Sequence, residues 1–337
     1  MGRMTDVLIL GGTGWLSGRI ARRWRDAGAA VTCLARGTRP APDGAVLVRG
    51  DREDPDVYAE LARRDWDHVV DISSQATQVA AAVDALGDRA ARWTYVSSLS
   101  VYADDVTVGA DESAPRHPAA RPGDAYEYGA QKVAAEDAVA TLGERALLVR
   151  PGLIVGDGDP SDRFGYWGAA FSRAGDGPVL LPPLDGRSTQ VVDVDDLAAY
   201  VVQATRSGAV NAIGDRHALA DVLQTVRAAS GHTGDGAVAE EEWLVDHGVE
   251  YWAGPRSLPL WLPAGMTGFM TRSNAAFLES GGRLRPLAET VERIVADERE
   301  RGVDRDRRAG LTRAEELALL ADRETPQADR SSFQAHR

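Results

Sequence analysis

Several features are scarce in this chain of 337 residues, and each absence excludes a class of protein. Cysteine occurs once, at Cys33, so no intramolecular disulfide can form and a disulfide-stapled fold is excluded. No stretch approaches the roughly 18 to 20 uncharged apolar residues of a membrane helix. The N-terminal residues also lack the basic start, apolar run and cleavage site of a signal peptide. We therefore expect a cytoplasmic protein without membrane contact.

Basic residues are also in deficit. Lys and Arg total 38 against 51 Asp and Glu, which gives a formal net charge of −13. A field of this sign repels polyanions unless a local patch overrules it. Hydrophobic residues make up 44% and charged residues 26%, as in ordinary globular proteins. We expect a small-molecule substrate, no nucleic-acid partner and no metal, and the oligomeric state stays open.

Apolar runs alternate with helical patterns in the first half of the chain, which predicts an α/β fold built on a doubly wound parallel sheet. The predicted strands are 7–10, 31–35, 46–48, 68–72, 93–97 and 147–149, and the predicted helices between them are 16–27, 56–63, 75–86 and 127–142. We predict a Rossmann-type core over residues 1–155 with the cofactor and catalytic residues. A smaller substrate-binding lobe is predicted over 156–325, with some strands and helices returning to the core, and a loose tail over 326–337.

The first predicted strand runs into a glycine-rich turn and then into a helix. The turn reads Gly11-Gly12-Thr13-Gly14-Trp15-Leu16-Ser17-Gly18. Glycine lets the backbone approach a pyrophosphate, and a helix N-terminus supplies free N–H donors. Gly11, Gly14, Trp15 and Leu16 are therefore candidate dinucleotide-binding residues, with Ser17 in the third small position. A turn that binds nothing is the alternative.

The end of the second predicted strand bears on the choice of cofactor. A carboxylate at this position selects NAD, whereas an arginine pairs with the 2′-phosphate of NADP. Ala35 stands where the carboxylate is expected and Arg36 follows it, so NADP(H) is preferred over NAD(H), unless Arg36 is simply solvated. Arg39 could join the phosphate site. Asp51 could accept a hydrogen bond from adenine or cap the next turn.

A third pattern, Tyr128-x-x-x-Lys132, places a phenol and an ammonium on one face of a helix. The cation would lower the pKa of the phenol, so that Tyr128 could exchange a proton with a carbonyl or alcohol oxygen. This spacing also arises by chance. It gains weight from Ser98, which follows the fifth predicted strand and could bind the same oxygen.

Together these motifs resemble those of extended short-chain dehydrogenases/reductases of the NAD-dependent epimerase/dehydratase superfamily. The resemblance rests on Gly11-x-x-Gly14, Gly50-Asp51, Ser97-Ser98-x-x-Val101-Tyr102, Tyr128-x-x-x-Lys132, the run from Arg150 to Gly156 and the run from Val191 to Ala198. It implies that Ser98 binds the reacting oxygen, Tyr128 is the acid/base and Lys132 binds the nicotinamide ribose. It also implies cofactor contacts from Ile72, Ser73, Pro151 and Gly152.

The resemblance also limits which type of reaction is expected. Dehydratases of this family carry Asp-Glu directly after the catalytic Thr, where this chain has Leu99 and Ser100, so dehydration is disfavoured. The overall sequence pattern is similar to that of bacterial 2′-hydroxyisoflavone reductase-like proteins. We expect an NADP(H)-dependent oxidoreductase that reduces a carbonyl or oxidises the alcohol. The alternatives are a nucleotide-sugar-type epimerase with retained NAD(P), a non-catalytic NADP-binding or regulatory protein, and an RNA-binding role, which the net charge disfavours.

Substrate contacts should come mainly from residues after 152, because the strand ends of the first half serve the cofactor. The candidates are Arg163, Tyr166, Trp167, Arg187, Gln190, Trp252 and Trp261. For the aromatic residues, hydrophobic packing is the competing explanation. For Arg163 and Arg187, it is solvation or a salt bridge.

Overall fold

A computed structural model describes residues 4–324, so the tail predicted at 326–337 lies outside the described residues. The strands are β1 (Asp6–Leu10), β2 (Ala30–Ala35), β3 (Val46–Arg49), β4 (His68–Asp71), β5 (Trp93–Val96), β6 (Ala146–Pro151), β7 (Leu153–Val155), β8 (Val179–Leu181), β9 (Ser188–Asp193), β10 (Gly208–Ala212), β11 (Arg216–Ala218), β12 (Gly236–Val238), β13 (Glu250–Trp252) and β14 (Ser257–Pro259). The helices are α1 (Trp15–Asp26), α2 (Ala76–Leu86), α3 (Tyr128–Ala140), α4 (Arg163–Ala174), α5 (Val194–Gln203), α6 (Leu219–Ala229), α7 (Glu241–Asp246), α8 (Ala275–Glu279), α9 (Leu287–Arg301) and α10 (Arg313–Glu324).

The described chain divides into two compact units. The first contains residues 4–156, 188–217 and 265–286, and the second contains 157–187, 218–264 and 287–324. The break after Gly156 lies one residue from the boundary predicted at 155. Two later segments rejoin the first unit and extend it beyond the predicted core.

The first unit is built on a seven-stranded sheet in the order β10-β6-β5-β4-β1-β2-β3. Every adjacent pair in it is parallel. This confirms the predicted α/β fold with a doubly wound parallel sheet. Strand β1 lies between β2 and β4, where the strand order reverses, and ligands of such sheets bind outside the carboxyl ends at this point.

Burial on both faces of the sheet explains why β1 is continuously apolar from Val7 to Leu10. In β1, Val7 and Ile9 pack with Ile20 of α1 and Leu197 of α5 on one face. Leu8 and Leu10 point the opposite way and pack with residues of α2 and α3. Side chains alternate across a strand, so helices on both faces favour apolar residues at successive positions of β1.

The helix predicted over residues 56–63 is wrong. This segment forms two short 3₁₀ turns, Pro55–Tyr58 and Leu61–Arg63. Tyr58 and Leu61 are both buried and three residues apart, which is the period at which side chains align in a 3₁₀ helix. The other strands and helices predicted in the first half lie within two residues of their observed bounds.

The second unit combines helices with small sheets. Helices α4, α6 and α9 pack against one another. Strands β8 and β12 form one parallel pair and β13 and β14 form another. The indole of Trp167 in α4 is fully buried and donates a hydrogen bond from Nε1 to the Pro259 carbonyl oxygen at 2.8 Å, which ties α4 to β14.

Candidate functional site

A cavity of about 720 Å³ opens at the carboxyl ends of the central strands of the first unit. The predicted cofactor residues that line it are Gly11, Gly14, Trp15, Leu16, Arg36, Asp51, Ile72 and Ser73. These residues follow the ends of four strands, β1 to β4, and the parallel sheet brings those strand ends to one edge. The cavity therefore lies where the sheet topology favours ligand binding.

The glycine turn at the base of this cavity requires glycine at two positions. Gly11 has φ of 86°, a conformation that residues with a Cβ rarely adopt. A Cβ at Gly12 would lie 2.5 Å from the Sγ of Cys33, which leaves no room for a side chain. Helix α1 begins at Trp15, and its first turn contains no charged side chain that could compete with an anion. The turn fits the pyrophosphate of a dinucleotide.

Ser17 explains how the turn keeps its shape without the third glycine. Its hydroxyl is buried, donates to the Gly11 carbonyl oxygen at 2.7 Å and accepts from the Gly14 N–H at 2.9 Å. The serine thus fastens both ends of the turn from inside the helix. From the sequence, only its tolerance at this position could be inferred.

The strand ends beside the turn carry the residues that bear on cofactor choice. Arg36 and Arg39 are exposed and line the cavity. Asp51 also lines it, and its Oδ1 accepts the Glu53 N–H at 3.1 Å, which is the turn-capping role. An interaction of Asp51 with adenine stays a prediction.

Ser98 and Tyr128 lie on two segments that pack closely together. The Ser98 Oγ accepts the Ser100 N–H at 3.1 Å and so caps the 3₁₀ turn Leu99–Val101. Gly129 packs against the same turn, since a Cβ there would lie 2.3 Å from the Ser100 carbonyl oxygen. Tyr128, the first residue of α3, keeps 41% of its surface exposed.

Lys132 lies one helical turn after Tyr128 and is almost completely buried. Its Nζ donates to the carbonyl oxygens of Ser73 at 3.0 Å and Val96 at 2.8 Å. The same nitrogen lies 5.9 Å from the centre of the Tyr128 ring. Burial lowers the pKa of Lys132 to about 8, although nearby carboxylates partly oppose this effect.

The composition of the chain also distinguishes Lys132 from the other basic residues. Lys132 is the only lysine in the chain, whereas arginine occurs 37 times. Arginine remains protonated in proteins, while lysine is a compact ammonium whose pKa shifts readily on burial. A chain that uses arginine at every other basic position and lysine here indicates that this site needs the properties of an amine.

Pro151 and Gly152 are not among the residues that line the cavity. Pro151 ends β6 and pairs with Ala212 of β10, and Gly152 connects β6 to β7. A Cβ at Gly152 would lie 3.1 Å from Leu99 Cδ1, so this segment is packed against the turn that follows Ser98. Their predicted contact with the nicotinamide stays a prediction.

Two of the predicted substrate residues are buried and hydrogen-bonded to the backbone. Gln190 is buried, and its amide bonds to three backbone groups: Nε2 donates to the carbonyl oxygens of Gly214 and Arg272, and Oε1 accepts the Arg272 N–H. Trp167 is fully buried, and its indole N–H donates to the Pro259 carbonyl oxygen. Tyr166 and Trp261 are equally buried. Substrate contact by any of these side chains stays a prediction.

Two other predicted substrate residues, both in the second unit, have polar or aromatic partners. Arg187 donates to the Leu262 carbonyl oxygen and forms a salt bridge with Glu241. The Arg163 Nε donates to Ser161 Oγ at 3.2 Å, and its guanidinium lies 5.3 Å from the centre of the Trp252 ring. Substrate contact by either arginine stays a prediction.

The part of the chain that the structure describes contains no group of three or more His, Cys, Asp or Glu residues suited to a metal ion. None of its helices is both long and apolar enough to cross a membrane.

Comparison with solved structures shows where this fold recurs. A candidate epimerase from Burkholderia cenocepacia J2315 is 23% identical, with a TM-score of 0.69 over 89% of this chain and 100% of its own. The Bordetella bronchiseptica enzyme WbmH, solved with NAD⁺, is 19% identical, with a TM-score of 0.65 over 88% and 99%. The UDP-N-acetylglucosamine 4-epimerase of Bacillus cereus is 17% identical, with a TM-score of 0.65 over 90% and 98%. At these identities the likeness shows the fold.

Comparisons of the sequence with curated proteins and with family models bear on the family of this chain. No curated protein matches the chain. The family model of the NAD dependent epimerase/dehydratase family matches residues 7–215, which is more than half of the chain. This match gives no support to the narrower 2′-hydroxyisoflavone reductase-like subgroup. The chain belongs to the NAD dependent epimerase/dehydratase family.

Proposed function

We propose that this protein epimerises a secondary alcohol centre of a small molecule, of the nucleotide-sugar type, with a retained NAD(P). The observation that carries the proposal is the arrangement of Lys132 and Tyr128: a buried ammonium held by two backbone carbonyl oxygens beside an exposed phenol. Family membership supports NAD(P)-dependent chemistry. The neighbouring folds include UDP-sugar 4-epimerases, and these favour epimerisation over net reduction.

The glycine turn and Lys132 would hold the dinucleotide, which would supply reversible hydride transfer at the alcohol carbon, so that return of the hydride to the other face gives the epimer. The protein's part is to move the proton. Tyr128 is exposed at the start of α3; as the phenolate it would take the hydroxyl proton as the carbonyl forms, and as the phenol it would return that proton when the hydride returns. The Lys132 ammonium, 5.9 Å from the ring, favours the phenolate by its charge. The Ser98 hydroxyl would donate to the reacting oxygen.

The number of N–H donors on Lys132 supports its proposed role in binding the cofactor ribose. An ammonium has three N–H donors, and two of them are used by the carbonyl oxygens of Ser73 and Val96. The third is available to a ribose hydroxyl. A neutral amine has only two N–H groups, so the protonated form is required if Lys132 is to donate all three hydrogen bonds.

Net oxidation or reduction with dissociable NADP(H) is the second candidate, and Arg36 favours it. This arginine is exposed at the cavity edge, and Ala35 stands before it where a carboxylate would select NAD. An arginine there can pair with a 2′-phosphate. The same Ser98, Tyr128 and Lys132 would then serve a single hydride transfer.

The two candidates differ in what the purified protein carries and consumes. The protein is denatured to release bound nucleotide, which is identified by chromatography, and intact protein is incubated with UDP-hexoses without added cofactor. Retained NAD(P) and formation of an epimer, with no lasting change in nicotinamide absorbance, support epimerisation. Protein that is isolated empty and consumes NADPH in proportion to a carbonyl substrate overturns it in favour of net reduction.

A further inference from the structure

A buried ion pair joins Arg52, which lines the cavity, to Asp71, and neither partner was singled out in the sequence. Asp71, the last residue of β4, is fully buried. The Arg52 guanidinium donates to both of its carboxylate oxygens, from Nη1 at 2.7 Å and from Nη2 at 2.7 Å. Arg52 also donates to the Tyr58 hydroxyl at 2.9 Å and the Gln78 carbonyl oxygen at 2.8 Å. This two-point geometry fixes the carboxylate in one orientation.

The pair is connected to Lys132 through a single residue. Asp71 Oδ1 accepts the Ser73 N–H at 3.0 Å, so the carboxylate holds the turn that follows β4. The carbonyl oxygen of Ser73 accepts Lys132 Nζ at 3.0 Å and the Tyr95 hydroxyl at 2.9 Å. Lys132 is therefore bound to a carbonyl whose position depends on Asp71.

The charges around Lys132 are also set by arginine partners. Asp71 on β4 and Glu136 on α3 oppose the effect of burial and raise the pKa of Lys132. Asp71 is paired with Arg52, and Glu136 is paired with Arg150 at 2.7 Å.

Other groups that face this region complete its surroundings. Arg116 also pairs with Glu136, at 3.0 Å. The aromatic rings of Tyr95 and Tyr128 have centres 4.7 Å and 5.9 Å from Lys132 Nζ. The balance between the carboxylates and their arginine partners thus determines how strongly this buried ammonium is stabilised.

We propose that Asp71, oriented by Arg52, is the positioning residue of Lys132: it holds the Ser73 carbonyl oxygen against the ammonium and supplies the negative charge that keeps Lys132 protonated. The inference rests on the proposed function, in which Lys132 supports Tyr128. Arg52, Ile72 and Ser73 also line the cavity, so the turn that would contact the dinucleotide also fixes Lys132.

The single lysine makes a direct test possible without a known substrate. Labelling with [¹³Cε]lysine gives one lysine signal, that of Lys132, and its shift against pH reports the protonation of this one group. The full-length variants are Asp71→Asn, Arg52→Gln and the double variant. Asp196→Asn is the matched control, because it removes a carboxylate that is paired with Arg285 at 2.8 Å in the same unit.

The two single variants should shift the Lys132 titration in opposite directions. Asp71→Asn removes the negative charge and leaves the Arg52 cation, so the midpoint should fall by about one pH unit. Arg52→Gln leaves the carboxylate uncompensated, and the midpoint should rise. The double variant should return it toward the wild-type value, and Asp196→Asn should not move it.

Loss of packing alone would predict shifts of one sign in both single variants, and that result overturns the proposal. An unchanged midpoint in Arg52→Gln also overturns it, even if Asp71→Asn does not fold. Failure of the proposed function gives a different result. If the Lys132 titration shifts in opposite directions while Tyr128→Phe retains full turnover, the Asp71 assignment holds and the catalytic role of the Tyr128–Lys132 pair is rejected.

Discussion

Gly129 lies so close to the carbonyl oxygen of Ser100 that a Cβ atom at position 129 would come within 2.3 Å of it. The contact joins the turn that follows Ser98 to the helix that begins with Tyr128. Two side chains assigned to one reacting oxygen are thus held near each other by backbone packing, at a position where only hydrogen fits.

Replacing Gly129 with alanine should therefore destabilise the protein. In an exposed helix this change usually stabilises by up to about 1 kcal/mol, but here overpacking should cost about 1–3 kcal/mol. Thermal unfolding measures the loss. Gly265→Ala is the control, because a Cβ at Gly265 meets no heavy atom within 4 Å. A Gly129→Ala variant as stable as wild type would show that the contact relaxes freely.

Tyr128→Phe should remove most of the turnover and leave dinucleotide binding intact. A positioned acid/base contributes about 10²- to 10⁴-fold, and the phenol lies outside the residues that line the cofactor cavity. Turnover with the substrate found in the UDP-hexose or carbonyl screen, and tryptophan fluorescence on cofactor addition, measure the two effects. Tyr126→Phe changes a neighbouring exposed tyrosine and should be silent. Equal losses in both variants would contradict the assignment.

Arg36→Ala should weaken NADP(H) binding by about tenfold, which corresponds to about 1.4 kcal/mol, and leave NAD(H) binding unchanged. The reason is that only NADP carries the 2′-phosphate with which this guanidinium can pair. Fluorescence titrations with both cofactors measure the ratio of affinities. Arg89→Ala is the control, since Arg89 is an exposed arginine paired with Asp65. A parallel loss for NAD(H) would mean that Arg36 does not read the phosphate.

His68 should make the protein less stable in mild acid. Burial lowers its pKa from 6.5 to about 4, and its Nε2 lies 2.8 Å from Thr94 Oγ1. As the pH falls from 6.5 to 4, the unfolded chain binds the proton first, so stability is present above pH 6.5 and is lost through this window. The loss should reach about 3 kcal/mol.

Urea unfolding at pH 7.5 and 4.5 measures that loss. His68→Asn should reduce the difference between the two pH values, although it lowers stability at both. His117→Asn changes an exposed histidine and should retain the wild-type difference. If His68→Asn also retains it, other groups cause the acid sensitivity.

Most of the architecture could be predicted from local sequence patterns. Apolar runs of strand length that alternate with helical patterns predicted the parallel sheet, because strands covered on both faces are largely apolar. The glycine turn, Ser98, Tyr128 and Lys132 were found because their chemistry depends on residue type at short spacing. The failure at residues 56–63 arose because Tyr58 and Leu61 are three residues apart, a spacing that an α-helix and a 3₁₀ helix share.

Tertiary structure alone decided what surrounds those residues. The partnership of Arg52 with Asp71, and of Ser73 with Lys132, joins positions 19 and 59 residues apart, and nothing local in the sequence relates them. Gln190 and Trp167 likewise matched the chemistry of a substrate contact, and only the folded chain shows that both are buried and hydrogen-bonded to backbone groups. Local patterns specify secondary structure and residue chemistry, whereas burial and distant charges set protonation and orientation, and these depend on the folded chain as a whole.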